Sequence, residues 1–577
     1  MIRFRSTTIV RLAMLALAFG LLMPLAATAQ DASPEASPVG IGHEIHSPTR
    51  EEFKAQLKAA FANDEPPGNT EGTYVVGALG DLQSINPLLV NSAPSINVVQ
   101  LIYEGLFGGD PRTGEPAPSA LSDSWDVAAD GLTYTFHLNK TAKWQDGVDF
   151  TAADVDFSLQ ALADPATTST YTGAFNDGVA SWKVIDDDTI QIVAKEVRFS
   201  FLYDLQGVYI LPKHIWENVP HDQWAVDPGS TGQDASRVVG TGPFKLDSWI
   251  QGQEVRLTRN DDYYDDKPNL KDYIFRIFSD SDAQFNAFLN GEIDSVGLEP
   301  QQVDTVKGTS GLQWADYPDR SFNYYEFNLN PETTTLFQDR EVRQALMYAL
   351  DRDSIVQDIF SGFAEVAQGT QPQISYAYAP EEVTTKYAYD PDKAKQLLAQ
   401  AGWTDTNGNG TVDKNGQELS FELLYGAGSP TLDSLVAYMQ DAWKAIGVDM
   451  KPNALEMGAL NQATTVNPTF QMALYSFFWD ATFIQDVLFG CAQYQVGFND
   501  MKYCNPQLDQ INQEAKREFD KDKRRALLIQ ASNIVNDDEP IGLIAFSKGI
   551  DAWNEHVHNY HPGAWRNQYY AGLWVDS

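Results

Sequence analysis

The sequence predicts an α/β protein with at least two lobes. From Tyr74 onward, roughly 500 residues have a globular composition, and a stretch of that length exceeds what one hydrophobic core accommodates. Strand-like and helix-like segments alternate along this whole stretch. We find no internal repeat of fixed period, which argues against a solenoid or a propeller.

Two segments carry the clearest strand signals. In residues 132–140 apolar side chains alternate with threonine and histidine, which predicts a half-buried strand. In residues 238–264 one apolar stretch begins at Phe244 and another returns through Val255, with a turn at Gly252 between them. That order predicts an antiparallel hairpin.

Helix boundaries are also marked in the sequence. Thr151 precedes a helical pattern, and Asp154 lies three residues later, at the position that completes a capping box. Pro391 opens a second helix, whose apolar stripe ends at Gly402. Residues 340–350 carry an apolar stripe of the same spacing and predict a third helix.

Residues 1–29 predict a signal peptide. Three arginines precede the apolar run Leu12–Ala26, and Ala27 and Ala29 fit the small-x-small cleavage pattern. The run is short for a membrane span, which needs about 20 residues, and an uncleaved signal anchor is the alternative. No cysteine follows the cleavage position, so we expect export to the periplasm or the outer face of the cell membrane without a lipid anchor there.

Residues 30–70 predict a flexible linker. Two stretches rich in proline, serine and acidic residues bury too little apolar surface to stay ordered. Between them, residues 48–63 place Phe53, Leu57 and Phe61 at helical spacing. We therefore expect a short amphipathic helix inside the linker.

Charge and cysteine content limit the partners and the redox state. The chain has a formal net charge of −39, which disfavours nucleic acid or an anionic membrane as partner because phosphate binding needs a basic surface. The two cysteines, Cys491 and Cys504, are the only ones in the chain. An exported protein meets an oxidising compartment, so we expect them to form a disulfide, with two free thiols as the alternative.

No motif in the chain predicts a catalytic residue. The sequence has no G-x-S-x-G nucleophile elbow. Gly240 and Gly242 resemble a phosphate-binding loop at first sight, but Pro243 removes a backbone N–H and strand-like residues follow it. Acidic pairs are too abundant to mark a general acid and base, so a secreted hydrolase remains a remote alternative.

Residues 405–416 resemble a calcium-binding loop. Oxygen-bearing side chains alternate along it and a glycine stands at the sixth position, where the loop must turn sharply. The twelfth position is Gly416 and not the usual glutamate, so we expect weak binding of a structural Ca²⁺, with a metal-free hairpin loop as the alternative. The candidate ligands are Asp405, Asn407, Asn409, Thr411 and Asp413.

Five segments, in this order, together resemble the family 5 extracellular solute-binding proteins of ABC importers, the group that binds oligopeptides, dipeptides and nickel. The resemblance extends from Tyr74 essentially to the end of the chain. The succession of five matching segments argues against a chance similarity. The segments are 79–92, 101–158, 238–264, 340–356 and 505–518.

The resemblance implies a two-lobed, periplasmic-binding-protein-like fold of the class II type. Lobe I would cover 71–320, with an extra subdomain at about 110–180, and lobe II would cover 321–550. Residues 551–577 would return to lobe I. Two crossover segments would join the lobes, and the solute would be enclosed between them by hinge closure.

The resemblance also implies a recognition residue for the solute. Asp480, within YSFFWDATF, corresponds to the aspartate that holds the peptide α-ammonium in the peptide-binding members. Trp479 beside it would supply an apolar wall or a cation–π contact. A structural ion pair or a helix cap is the alternative role for Asp480. The segment 481–489 differs from the Asp-Pro-rich stretch that many members have after this position.

Four further positions correspond to parts of the cleft. Asn91 and Ala93 match positions that pair with the peptide backbone, and Asn499 and Tyr503 would line the cleft from lobe II. Ordinary loop packing is the alternative for each of them.

The function implied is that of an exported receptor, not an enzyme, which captures peptides and delivers them to the permease subunits of an ABC importer. A monomer without a required cofactor is expected. The same fold could instead bind an oligosaccharide, an opine-like compound or a metal–chelator complex.

Overall fold

The computed structural model describes residues 40–494, 497–565 and 572–576. The predicted signal peptide at 1–29 lies outside the described residues. Within the described part of the chain, no helix combines the length and the apolar character needed to cross a membrane.

The strands, in chain order, are β1 Ile45–His46, β2 Gly72–Leu79, β3 Gly108–Gly109, β4 Pro116–Ala117, β5 Ser122–Val127, β6 Thr133–Leu138, β7 Val179–Asp186, β8 Thr189–Ala194, β9 Phe244–Ile250, β10 Glu254–Arg259, β11 Leu270–Phe278, β12 Ser295–Gly297, β13 Leu312–Phe327, β14 Ala364–Val366, β15 Asp413–Lys414, β16 Gln417–Glu418, β17 Ser420–Gly426, β18 Asp449–Leu455, β19 Met472–Phe478, β20 Ile541–Asn554, β21 Val557–His558 and β22 Trp574–Val575.

The α-helices are α1 Arg50–Ala60, α2 Ala93–Ile102, α3 Ala152–Ala163, α4 Thr172–Gly178, α5 Phe201–Leu205, α6 Lys213–Trp216, α7 Ser281–Leu289, α8 Val303–Lys307, α9 Arg340–Tyr348, α10 Arg352–Ser354, α11 Pro391–Gln400, α12 Pro430–Lys444, α13 Met457–Asn461, α14 Asp486–Phe489, α15 Pro506–Arg517 and α16 Lys521–Asp538.

One large mixed sheet runs through both lobes, in the order β18-β17-β19-β13-β20-β12-β2-β11-β10-β9, with β14 paired to β20. Lobe I is built on β2, which is parallel to β11 and β12. Lobe II is built on β17, which is parallel to β18 and β19. The two long strands in the middle, β13 and β20, are antiparallel and belong to both lobes.

The break between the lobes lies within the β13–β20 pair. Residues 312–318 of β13 pair with one end of β20, and residues 322–326 pair with the other end. The register shifts between Pro318 and Phe322, so Asp319–Ser321 stay outside this ladder. The lobe boundary between residues 320 and 321 stays a prediction of the sequence.

A separate five-stranded sheet, β1-β5-β6-β8-β7, forms the subdomain of lobe I. Its core contains Trp125, Tyr134 and Phe136. The subdomain is larger than the predicted 110–180, because β8 extends it to Ala194 and β1 adds residues from before lobe I.

The expected flexible linker is wrong for residues 45–60. The amphipathic helix is present as α1, but β1 joins the subdomain sheet and Arg50 of α1 is buried. The Arg50 guanidinium donates to Asp123 of β5 at 2.8 Å and pairs with Asp265 beyond β10. This helix therefore connects the subdomain to the rest of lobe I, a role that composition alone does not indicate.

Local signals in the sequence place several elements correctly. Thr151 and Asp154 form a capping box at the start of α3. The helix α11 begins at Pro391, and Gly402 just beyond its end has a φ of +85°, a conformation that L side chains rarely adopt. The hairpin of β9 and β10 turns at Gly252 as predicted.

Gly240 precedes this hairpin and touches the end of α2. Its N–H donates to the side-chain oxygen of Gln145 at 3.1 Å, and a Cβ at this position would lie 1.8 Å from the Ile102 carbonyl oxygen. Gly242 donates its N–H to the same carbonyl at 2.8 Å. The glycines therefore allow two backbone segments to approach closely.

The end of the chain returns to lobe I. After β20, strand β21 pairs with β22. Val557, Leu573 and Val575 join Tyr74 in the lobe I core. The described residues of this terminal segment therefore pack against the same core as β2.

Replacing Gly240 by alanine should destabilise lobe I, because the new methyl group meets backbone atoms that cannot rotate away. We expect a loss of about 3 kcal/mol in the free energy of unfolding, measured by calorimetry or denaturant titration. Gly173→Ala is the matched control: Gly173 lies in α4 with no atom within 4 Å of its hypothetical Cβ, so the change should stay within about 1 kcal/mol. Equal effects of the two variants would contradict this packing.

Candidate functional site

The lobes face each other where α5 of lobe I approaches the loop that follows β19 in lobe II. The N–H of Phe199, just before α5, donates to the Lys516 carbonyl at 2.8 Å. Lys521 pairs with Glu115 of lobe I at 2.7 Å. We call the space between α5 and residues 479–485 the interlobe cleft.

Asp480 is exposed in this cleft. Its Oδ1 accepts hydrogen bonds from the N–H and the hydroxyl of Thr482, at 2.8 and 2.5 Å. Among the described residues Asp480 has no ion-pair partner, so its second oxygen is available to a positively charged group. The carboxylate is near enough to Tyr203 and Asp204 of α5 to influence the pKa of both.

Trp479 does not line the cleft. Its side chain is buried, and its indole N–H donates to the Thr370 carbonyl at 2.7 Å. The ring packs against Phe322 of β13. The prediction for Trp479 is therefore wrong, since of these two neighbours only Asp480 is exposed.

Asn499 and Tyr503 also lie in the interior of lobe II. The amide of Asn499 donates to the carbonyls of Gly490 and Tyr503, and the Tyr503 hydroxyl donates to Asp538 at 2.6 Å. Both side chains are buried. They hold a loop together, which was the structural alternative for these positions.

Asn91 and Ala93 are exposed at the start of α2. Ala93 lines a pocket of about 420 Å³ on lobe I, whose walls come from β2, β11, β12 and the returning end of the chain. Asp480 is not part of that pocket, so the structure does not bring these two positions together with the lobe II carboxylate in one cavity.

Arg320 is a cleft residue that the sequence did not reveal. It lies in the break of β13, and its guanidinium carbon is 4.9 Å from the Phe478 ring centroid and 4.5 Å from that of Trp565. The guanidinium also donates to the Trp479 carbonyl at 3.4 Å. Burial lowers the pKa of Arg320, while Asp319 and Asp480 oppose that shift.

Asp204 of α5 is the second carboxylate of the cleft. Its side chain is 41% exposed and pairs with Arg198 at 3.1 Å. Crowding by protein atoms raises the pKa of Asp204 to about 6; Arg198 opposes this shift and the negative charge of Asp480 adds to it. No local pattern distinguishes Asp204 from the other members of a set of 79 acidic residues.

The predicted calcium loop is held by its own hydrogen bonds. Asp405 accepts the N–H groups of Gly408 and Gly410, and the side-chain oxygens of Asn407 and Asn409 accept the N–H groups two residues later. Asp413 is buried and accepts from Thr406. Within the described residues, no group of three or more His, Cys, Asp or Glu side chains is arranged for a metal, and calcium binding stays a prediction.

Cys491 and Cys504 are joined by a disulfide. The bond closes the loop that contains Asn499 and leads into α15. It therefore constrains a part of lobe II that packs beneath the cleft, and its role is structural.

Comparison with known proteins agrees with this geometry. The oligopeptide-binding protein AppA of Bacillus subtilis is 28% identical over 500 residues, which cover 85% of this chain and 89% of AppA. The crystal structure of that protein in complex with a nonapeptide has a TM-score of 0.73 and 27% identity, covering 89% of this chain and all of the solved chain.

Two further relatives show the range of solutes. The dipeptide-binding protein of Escherichia coli is 26% identical over 514 residues, covering 85% of this chain and 92% of its own. NikZ of Campylobacter jejuni, solved with Ni(L-His), has a TM-score of 0.70 and 25% identity, covering 85% of this chain and 95% of NikZ.

The family described as bacterial extracellular solute-binding proteins, family 5, matches residues 115–495, which is more than half of the chain. That span includes strands β5 to β8 of the subdomain, the break in β13 and the loop that carries Asp480. The chain belongs to the family 5 extracellular solute-binding proteins.

Proposed function

We propose that this protein captures peptides in the interlobe cleft and delivers them to the permease of an ABC importer. Two observations support a peptide solute: relatives named for oligopeptide and dipeptide binding align along most of the chain, and Asp480 presents an unpaired carboxylate in the cleft. The carboxylate of Asp480 carries the proposal, because it supplies a charged partner for the α-ammonium of a peptide.

In this proposal Asp480 receives the α-ammonium of the peptide. The Thr482 hydrogen bonds fix one oxygen and orient the carboxylate, leaving the other oxygen as a charge-assisted acceptor. A charge-assisted bond of this kind gains strength when closure removes water from the cleft. The α-ammonium in turn gives the carboxylate the partner it needs once closure buries it.

Closure in this proposal occurs by bending at the break in β13. The two crossing strands hold the lobes together, while Asp319–Ser321, which form no pair with β20, allow a change of angle between them. The closed, occupied form is the one that a permease would recognise. Export by the predicted signal peptide, action as a monomer and absence of catalysis belong to the same proposal.

A small chelated metal is the second candidate solute. The resemblance to NikZ, solved with Ni(L-His), favours it, because that ligand also carries charged amino-acid groups. The resemblance described above already implied a metal–chelator complex as an alternative solute. Direct binding tests distinguish it from a peptide.

The solute class can be tested by thermal shift. We expect a tetrapeptide pool, randomised at every position, to raise the melting temperature of the purified protein, because a ligand at a hundredfold excess over its Kd stabilises by about 2.7 kcal/mol. Nickel with histidine and a panel of oligosaccharides serve as parallel samples. A shift with sugars or the nickel complex alone would reject the peptide proposal.

Asp480→Asn should weaken peptide binding by more than about tenfold, because a neutral amide loses the charge-assisted bond to the ammonium. Calorimetric titration with a peptide isolated from the pool measures the change, and an unchanged melting temperature of the free protein shows that the fold is intact. Asp187→Asn, an exposed position at the edge of the subdomain, is the charge-matched control. Equal affinity of the Asp480 and Asp187 variants would remove Asp480 from the site.

A further inference from the structure

The helix α5, which carries Asp204, packs against lobe II. Phe199 and Tyr203 pack against the lobe II cluster that contains Trp479 and Phe483. The Arg524 guanidinium lies 3.7 Å from the Phe199 ring centroid. Asp204 belongs to the same helix and lies near enough to Asp480 of lobe II for the two charges to interact.

Only one of the two carboxylates, Asp204, forms an ion pair among the described residues. Its own segment contributes Arg198 and Glu196, and lobe II contributes Asp480 and Lys516. Lys516 already pairs with Asp486 at 2.5 Å. Among the described residues, Arg198 is thus the one cation that pairs with Asp204. Asp480 forms no ion pair there, although Arg320 lies near enough for the two charges to interact.

Two carboxylates that face each other across a narrowing cleft repel each other, and the repulsion grows as water leaves. Crowding by protein atoms and the negative charge of Asp480 raise the pKa of Asp204 more than Arg198 lowers it, which brings this pKa to about 6. An ammonium placed between the two carboxylates would attract both of them and so offset their mutual repulsion. It has three N–H donors, enough to serve both acceptors.

We propose that Asp204 and Asp480 act as a two-lobe carboxylate clamp, which lets the lobes close only over a solute that brings a free ammonium group. The inference rests on the proposed function and adds to it a lobe I residue and a selection rule. N-blocked peptides and neutral or anionic solutes fail this rule. Asp204 is a specificity residue in this account and does not merely neutralise Arg198.

The probes are the randomised tetrapeptide pool and the same pool N-acetylated. For the wild type at pH 7, the concentration that gives half of the maximal shift in melting temperature should be at least about tenfold higher for the acetylated pool than for the free-amine pool. Asp204→Asn should lose most of this difference. Asp187→Asn should retain it. Arg198→Gln leaves Asp204 charged and should retain the preference as well, whereas equal losses in the Asp204 and Arg198 variants would reduce Asp204 to a structural partner.

The pH profile gives a second test that needs no variant. With Asp204 ionised in the complex, lowering the pH from 7 to 5 protonates it in the free protein and should weaken binding of the free-amine pool about tenfold. The acetylated pool should bind equally well or better at pH 5, because protonation removes the repulsion between the lobes. In Asp204→Asn both profiles should become flat over this range.

The outcomes separate the two proposals. If Asp480→Asn loses the free-amine pool while Asp204→Asn keeps the wild-type preference and pH profile, the clamp is wrong and the peptide receptor stands. If the wild type binds neither pool, both proposals fall.

Discussion

The pairing of β13 with β20 is the constraint on which the rest of the structure depends. Each strand has one end in lobe I and the other in lobe II, so both lobes are extensions of the same two strands. The pairing of the two strands breaks off at Asp319–Ser321, and a smaller register shift lies between Asn323 and Tyr324. Bending at Asp319–Ser321 breaks no hydrogen bond between β13 and β20. The angle between the lobes can therefore change while the sheet within each lobe stays intact.

The solute loop is attached directly to this break. The Trp479 N–H donates to the Arg320 carbonyl at 3.2 Å, and the Arg320 guanidinium donates back to the Trp479 carbonyl. Buried Trp479 thus positions Asp480 relative to the hinge, although it does not face the solute. Arg320 also lies over Trp565, whose ring packs on Gly114 of the subdomain. Hinge, recognition loop and subdomain therefore form one connected unit.

Much of the fold could be predicted because its signals are local. A capping box at Thr151, a proline at the start of α11 and a turn at Gly252 depend on a few neighbouring residues, and the structure has all three. These features need no knowledge of which distant segments meet.

The rest depends on contacts between distant segments. Residues 45–60 read as a linker by composition, yet the buried Arg50 finds carboxylates far away in the sequence. Trp479, Asn499 and Tyr503 have residue types suited to a cleft, but tertiary packing uses them inside lobe II. Asp204 and Arg320 gain their importance only because folding brings them beside Asp480.

The central claim is that solute drives the lobes together about the β13–β20 hinge. Small-angle X-ray scattering of the purified protein, with and without a saturating free-amine tetrapeptide pool, tests it most directly. The account predicts a smaller radius of gyration with the pool and no change with the N-acetylated pool. An unchanged radius in a sample that calorimetry shows to be saturated with peptide would contradict it.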